Sequence, residues 1–98
     1  MLTSKQRAYL RAMAQSLDTI FQVGKGGITE EMCNQIANAL EARELIKARV
    51  LENSGYTAKD AANEIADRID CDVVACVGSR FVLYKESVNK NRIELPRR

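Results

Sequence analysis

The chain has 98 residues, of which 46% are hydrophobic and 29% charged, which suits one domain, 1–98, with a modest core. It contains no histidine and three cysteines without a Cys-x-x-Cys pair, so nothing in the composition points to an enzyme, a metal site or a cofactor. No apolar run is long enough to cross a membrane and the N-terminus is polar and basic, so we expect a cytoplasmic protein with no membrane partner.

The first predicted elements are a helix and a short strand. Thr3 and Gln6 have the spacing of a capping box at a helix start. Apolar residues then recur at spacings of three and four, as on one helix face: Leu10, Met13, Ala14 and Leu17. The segment 20–23 is apolar enough for a short strand, which the glycines of 24–27 end.

A second helix and a second strand follow. Thr29 is placed as the N-cap, and Ile28 can pack against Cys33 as a hydrophobic staple. The strand predicted at 45–51 alternates. One face would carry Ile46, Ala48 and Val50, and the other Lys47 and Arg49.

The last part of the chain reads as a helix and a hairpin. Thr57 and Asp60 mark the start of the third helix. Strands at 72–77 and 80–85 flank Gly-Ser, a two-residue turn with glycine first. Residues 86–98 are predicted to form a polar C-terminal tail. A short edge strand around Ile93 and Leu95 is the alternative. The order α-β-α-β-α-β-β predicts a compact α/β domain with a mixed four-stranded sheet.

Charge is distributed unevenly. Residues 1–27 have four basic and one acidic residue, a net +3, and residues 71–98 have six basic and three acidic residues, also +3. Between them, residues 28–70 have a net charge of −4. If the two ends meet in space, the protein has a basic face and an acidic back, although the same charges could simply solvate the surface.

The segment Gly24-Lys25-Gly26-Gly27 is the most informative motif. It lies between a predicted strand and a predicted helix, where glycines allow close approach to a ligand and backbone amides can face an anion. Lys25 adds a positive charge at the same place. The motif is neither a Walker loop nor a dinucleotide fingerprint, but it matches Gly-x-x-Gly, with which KH domains contact a nucleic-acid backbone. A plain turn remains the structural alternative.

Four stretches of sequence connect the chain to a known family. They are Leu-Thr, Lys-Gln-Arg and Tyr-Leu-Arg within 2–11; Gln-Val-Gly-Lys-Gly-Gly-Ile-Thr at 22–29; Ala-Leu-Glu-Ala-Arg-Glu-Leu-Ile-Lys at 39–47; and Val-Leu-Tyr-Lys at 82–85. Together they resemble the CRM domain family (chloroplast RNA splicing and ribosome maturation), above all its free-standing bacterial YhbY-like members. The resemblance covers nearly the whole chain, from residue 2 to about residue 96.

The resemblance implies a fold similar to the C-terminal domain of translation initiation factor three. It also implies binding of RNA, and of ribosomal RNA in precursors of the large subunit, through the Gly24–Gly27 loop. KH domains place their loop between two helices, so that comparison is one of mechanism only. Lys85 departs from the family, which often has arginine there; lysine keeps the charge and loses the two-pronged phosphate contact. We expect a monomer and no DNA partner.

Other cations are candidates for contact with RNA. They are Arg7 and Arg11 on the first helix, Lys47 and Arg49 on the second strand, and Arg80 and Lys85 on the last strand. For each, solvation or packing of the aliphatic stem is the competing interpretation. Tyr84 could stack on a base or simply pack, and Arg43 and Glu44 could pair with each other or with neighbours.

Two other classes of function stay open. One is a protein-interaction module on the ribosome, whose acidic middle would meet a basic partner. The other is a small enzyme that uses the glycine loop for a nucleotide phosphate, with Glu30 and Glu31 nearby. Both glutamates are also explained by the preference of carboxylates for a helix start.

Overall fold

The computed structural model describes residues 2–89 and 93–97, and its elements follow the predicted order. Three helices are α1 (Ser4–Ala14), α2 (Glu30–Arg43) and α3 (Ala58–Ile69). Four strands are β1 (Thr19–Val23), β2 (Leu45–Val50), β3 (Asp72–Val77) and β4 (Arg80–Tyr84). A short 3-10 turn at Glu52–Ser54 was not predicted from the sequence. The predicted α/β class is confirmed. No helix in the described part of the chain is both long and apolar enough to cross a bilayer.

The four strands form one mixed sheet in the order β1-β2-β4-β3. β1 and β2 run parallel, and helix α2 provides the connection between them. β4 lies antiparallel to both β2 and β3, and it reaches β3 through the predicted two-residue turn at Gly78 and Ser79. β1 and β3 are therefore the edges.

One side of the sheet, the two-helix face, is covered by α2 and α3. Its buried apolar side chains include those of the central strands and of both helices: Ile36, Leu40, Ile46, Ala48, Ile65, Phe81 and Leu83. Each of these is at most 1% exposed. The alternation predicted for β2 is confirmed, because Ile46, Ala48 and Val50 lie in this cluster and Lys47 and Arg49 do not.

The opposite side, the one-helix face, has only α1 packed on it. Leu10 and Ala14 of α1 lie in a second cluster with side chains of β2, β3 and β4: Leu45, Val74, Val82 and Tyr84. A single 11-residue helix is too narrow to cover four strands. Lys47 and Arg49, which share this side with Leu45, are only partly buried.

The helix starts follow the predicted capping chemistry. Gln6 N–H donates to Thr3 Oγ1, and Thr3 N–H donates back to Gln6 Oε1, each at 3.1 Å. The Thr29 and Thr57 hydroxyls likewise accept a hydrogen bond from the backbone three residues ahead, at 3.1 Å. Each cap satisfies N–H groups that a helix end leaves unpaired.

The C-terminal tail is held by two carboxylates and does not add a strand to the sheet. Residues 86–89 and 93–97 have no helix or strand, so the edge-strand alternative is wrong for this described part. Glu41 accepts hydrogen bonds from Val88 and Asn89 N–H, and Glu44 accepts one from Ser87 N–H. These bonds take backbone donors that a strand would give to its neighbour. Ile93 and Leu95 pack on the α1 cluster and thereby hold the tail against the domain.

Candidate nucleic-acid interface

The Gly24–Gly27 segment is a tight turn between β1 and α2. Gly27 N–H donates to Gly24 O at 2.9 Å, which closes the turn with Lys25 and Gly26 exposed at its tip. Gly27 has a φ of +74°, a left-handed conformation that favours glycine. The Gly27 amide is thus used inside the turn, and the group that the turn presents outward is the Lys25 side chain.

The turn is bordered by Tyr56, two residues before α3, and by Arg68 of α3. A Cβ at Gly27 would lie 3.7 Å from the Tyr56 ring, so the ring occupies the space on that side of the glycine. Arg68 Nη1 donates to Ile28 O at 3.2 Å, and Arg68 pairs with Glu64 at 3.2 Å. Tyr56 OH donates to the same Glu64 at 3.1 Å, and this bond raises the pKa of Tyr56.

This support was missed by the sequence reasoning. Glu64 and Arg68 have the i, i+4 spacing of a helical ion pair, which is a visible signal. Nothing local connects that pair to Tyr56 or to the glycine turn, because the contact depends on how α3 packs on the sheet. The network fixes the position of the turn without reaching its tip.

The glycine turn lies at the same end of the sheet as the β3–β4 hairpin turn. Leu51 N–H, just after β2, donates to Val23 O at 2.9 Å, and Val50 N–H donates to Ser79 O at 2.8 Å. The end of β1, the end of β2 and the hairpin turn therefore meet. We call this the loop end of the sheet.

Four of the predicted cations come together on the one-helix face toward the loop end. Arg49 is paired with Gln22 on β1 and with Arg80 on β4, so the two arginines are directly opposite across neighbouring strands. Lys47 is two residues before Arg49 on the same strand face. Arg11 reaches the same region from α1 and shares a surface hollow with Lys47 and Arg80. We call Arg11, Lys47, Arg49 and Arg80 the basic strip.

The basic strip carries an electrostatic cost in the free protein. Like charges directly opposite in a sheet are destabilising. Arg49 Nε is in addition shielded from solvent and has no hydrogen-bond partner in the described part of the chain. A buried donor without an acceptor costs free energy, and an anion that bridges Arg49 and Arg80 would remove the repulsion between the two guanidinium groups.

Two predicted cations are placed differently. Lys85 lies at the other end of β4, where Nζ donates to Ile69 O at 3.1 Å and Asp70 and Asp72 line the same hollow. The structure does not bring Lys85 to the basic strip. Arg7 is one turn before Arg11 on α1; it is half-buried, and its Nε is shielded from solvent and has no hydrogen-bond partner among the residues that the structure describes.

The remaining reactive side chains are mostly packed or inert. Tyr84 is 4% exposed, so packing and not base stacking is its role, and burial raises its pKa. Burial raises the pKa of the Cys71 thiol to about 12, and Cys33 is buried. Within residues 2–89 and 93–97, no group of three or more metal-binding side chains is present.

Comparison with known proteins identifies relatives along the whole chain. The profile of the CRS1 / YhbY (CRM) domain matches residues 2–85. A Bacillus subtilis protein named as a probable RNA-binding protein, YqeI, is 49% identical over 96 residues, which is 98% of this chain and 100% of the relative. A Haemophilus influenzae protein named RNA-binding protein is 33% identical over 97 residues, 99% of this chain and 97% of its own.

A solved structure agrees with the observed architecture. The solution structure of a hypothetical protein from Staphylococcus aureus is 46% identical to this chain and superposes with a TM-score of 0.73. The match covers 98% of this chain and 100% of the other. Sequence and structure comparisons therefore point to the same group of proteins.

Proposed function

Since this chain belongs to the CRS1 / YhbY (CRM) domain family, we propose that it is a non-catalytic, cytoplasmic RNA-binding protein that contacts the phosphate backbone at the loop end. The observation that carries the proposal is the basic strip, in which Arg49 and Arg80 are held directly opposite each other. The repulsion between these two arginines contributes nothing to solubility, whereas a bound polyanion such as RNA would compensate it.

The glycine turn adds a second contact to the same surface. Lys25 is exposed at its tip, and the residue after the turn, Ile28, accepts a hydrogen bond from Arg68 of α3 while the Tyr56 ring lies beside Gly27. A cation on a fixed turn loses less freedom on binding than one on a mobile loop. The turn and the basic strip together would follow the RNA backbone across the loop end.

We further propose that the RNA is ribosomal and belongs to a precursor of the large subunit. The protein would act there as a monomer. The support is the resemblance of the whole chain to YhbY-like proteins together with the relatives named for RNA binding. Tyr84 and Phe81 are buried and Tyr9 of α1 is 42% exposed, so few aromatic rings are available for base stacking. This agrees with recognition by phosphate contacts and RNA shape.

The nucleotide-phosphate enzyme has less support from the geometry. Gly27 N–H is used within the turn, so the turn does not offer the full set of amides of a phosphate-binding loop. Glu30 and Glu31 lie in the first turn of α2, where they interact favourably with the helix dipole.

The proposal is tested with Lys25→Ala and with Lys5→Ala as its matched control. Lys5 is an exposed lysine in the first turn of α1, next to Gln6, which lines the hollow of Lys85 at the opposite end of the sheet, so the control removes the same charge away from the loop end. Binding to a large-subunit ribosomal RNA fragment is measured by fluorescence anisotropy at several salt concentrations. We expect Lys25→Ala to bind several-fold more weakly, with a salt slope smaller by about 1, because one phosphate contact is lost. Lys5→Ala should match the wild type.

Two outcomes would contradict parts of the proposal. Equal losses in both variants would mean that net charge matters and the glycine turn does not. Equal wild-type affinity for the ribosomal fragment and for an unrelated folded RNA of the same length would remove the ribosomal assignment and leave RNA binding in place. The melting temperature of each variant is measured first, so that a loss of folding is not read as a loss of contact.

A further inference from the structure

A small hollow lies between α1 and the sheet, within the basic strip. Arg11 from α1, Lys47 from β2 and Arg80 from β4 line it, and no carboxylate of the described residues does. Its volume is about 290 Å³. Sites for small organic molecules usually begin at about 300 Å³, so the hollow is large enough for one flat ring system and too small for several.

The floor of this hollow is apolar. Val82 is 7% exposed and Ala75 is partly buried beside it on β3. Val77, at the end of the same edge strand, is 70% exposed. An isolated valine on a surface needs no explanation, but this one extends an apolar floor that is bordered by three cations. The combination suits a ligand with an apolar flat part and a negative charge next to it.

We infer that the hollow binds one unpaired nucleotide of the RNA, with its base on Ala75, Val77 and Val82 and its phosphate among the cations. The inference rests on the proposed function and narrows its substrate to RNA with a bulge or a single-stranded loop. In a fully paired helix, the bases are stacked inside and only phosphates, sugars and base edges are accessible. Paired RNA could reach the cations and would leave the apolar floor uncovered.

The larger groove on the other side of α1 suits this role less well. It has a volume of about 620 Å³ and combines Met13, Leu17 and Ile20 with Arg43 and Lys47. Asp18 also lines it, so its charge is mixed and a phosphate there would meet a carboxylate. Charge complementarity favours the smaller hollow.

The test uses Val77→Glu with Cys76→Glu as the matched control. Both residues are exposed and adjacent on β3, and they lie on opposite faces of the sheet, so the two variants add the same charge at the same end of one strand. The RNA is a hairpin with a single-nucleotide bulge, compared with the same hairpin fully paired. Affinities are measured by anisotropy at one salt concentration.

We expect the wild type to bind the bulged hairpin about fivefold more tightly than the paired one, since removing the aliphatic floor and one face of the base from water favours binding by roughly this factor. Val77→Glu should abolish this preference, and Cys76→Glu should retain it. The inference is overturned if the wild type binds the two hairpins equally while still binding both, which leaves the proposed function intact. It is also overturned if Val77→Glu keeps the preference. Binding of neither hairpin by a wild type that binds the large-subunit ribosomal RNA fragment would overturn the inference alone, and binding of none of the three RNAs would overturn the proposed function with it.

Discussion

Strand β2 is flanked by a carboxylate at its start and carries a guanidinium near its end, and the fold treats the two charges in opposite ways. Glu44, directly before β2, is fully buried, and its two carboxylate oxygens accept hydrogen bonds from Ser87 N–H at 2.9 Å and Ile93 N–H at 2.6 Å. Arg49 faces Arg80 across the sheet, and its shielded Nε has no partner in the described part of the chain. The Glu44 carboxylate is therefore hydrogen-bonded to backbone N–H groups, whereas Arg49 Nε makes no hydrogen bond within the described residues.

The difference separates a structural role from a binding role. A buried carboxylate is tolerated when hydrogen bonds compensate its lost hydration, and removing the carboxylate then leaves its donors unsatisfied. A cation held near another cation gains nothing from the fold and becomes favourable only when an anion arrives. Substitutions at the two ends of β2 should therefore separate stability from RNA affinity.

The largest effect is expected for Glu44→Ala. Ser87 N–H and Ile93 N–H lose their acceptor, and the tail that they fix is released from the α1 cluster, so unfolding should become easier by about 2–4 kcal/mol. The urea-unfolding midpoint measures this. At a temperature where the variant is folded, its RNA affinity should equal that of the wild type.

The matched variant Glu44→Gln keeps one side-chain oxygen as an acceptor and should lose less stability. Glu44 has a φ of +67°, and alanine and glutamine share that backbone strain with glutamate. The comparison therefore isolates the carboxylate. If Glu44→Ala were as stable as the wild type, the hydrogen-bonded carboxylate before β2 would have no structural role.

A smaller effect is expected for Gly27→Ala at the loop end. Alanine must adopt the φ of +74° there, while the Tyr56 ring at 3.7 Å is at ordinary contact distance, so we expect a loss of about 1 kcal/mol from backbone strain. Gly26→Ala is the matched control, since a Cβ at Gly26 meets nothing within 4 Å. Thermal melts of both variants make the comparison, and equal melts would show that the turn tolerates another backbone conformation.

Local signals in the sequence were sufficient for the elements and their caps. The capping residues Thr3, Thr29 and Thr57 and the alternation of Lys47 and Arg49 in β2 each depend on neighbours a few residues away. Such signals are readable because helix and strand periodicities fix which side chains share a face.

The parts that could not be predicted depend on pairing between distant segments. The strand order β1-β2-β4-β3 brings Arg80 opposite Arg49, and no local signal specifies that neighbour. Lys85 was predicted to contact RNA together with Arg80, and the structure separates the two. Lys85 follows β4 directly, but a five-residue strand spans about 17 Å, so Arg80 and Lys85 lie at opposite ends of the sheet. From the sequence, Glu44 could have formed an ion pair with Arg43. The structure instead buries Glu44 under the C-terminal tail, whose residues Ser87 and Ile93 donate hydrogen bonds to it.

Arg80→Gln is expected to separate RNA affinity from stability most clearly, because its effect on stability is the smallest of the three. Glutamine keeps a polar side chain on the exposed start of β4 and removes the charge that faces Arg49. Without RNA, stability should stay constant or rise by up to about 0.5 kcal/mol, because a like-charge pair across the sheet is relieved. With RNA, affinity should fall several-fold and the salt slope should decrease by about 1, because a phosphate contact is lost. Lys5→Gln, which removes an exposed charge from the start of α1 at the opposite end of the sheet, is the control and should change neither quantity. If Arg80→Gln lost stability in parallel with affinity, Arg80 would have a structural role like that of Glu44. The pair of Arg49 and Arg80 would then belong to the fold and not to an RNA site.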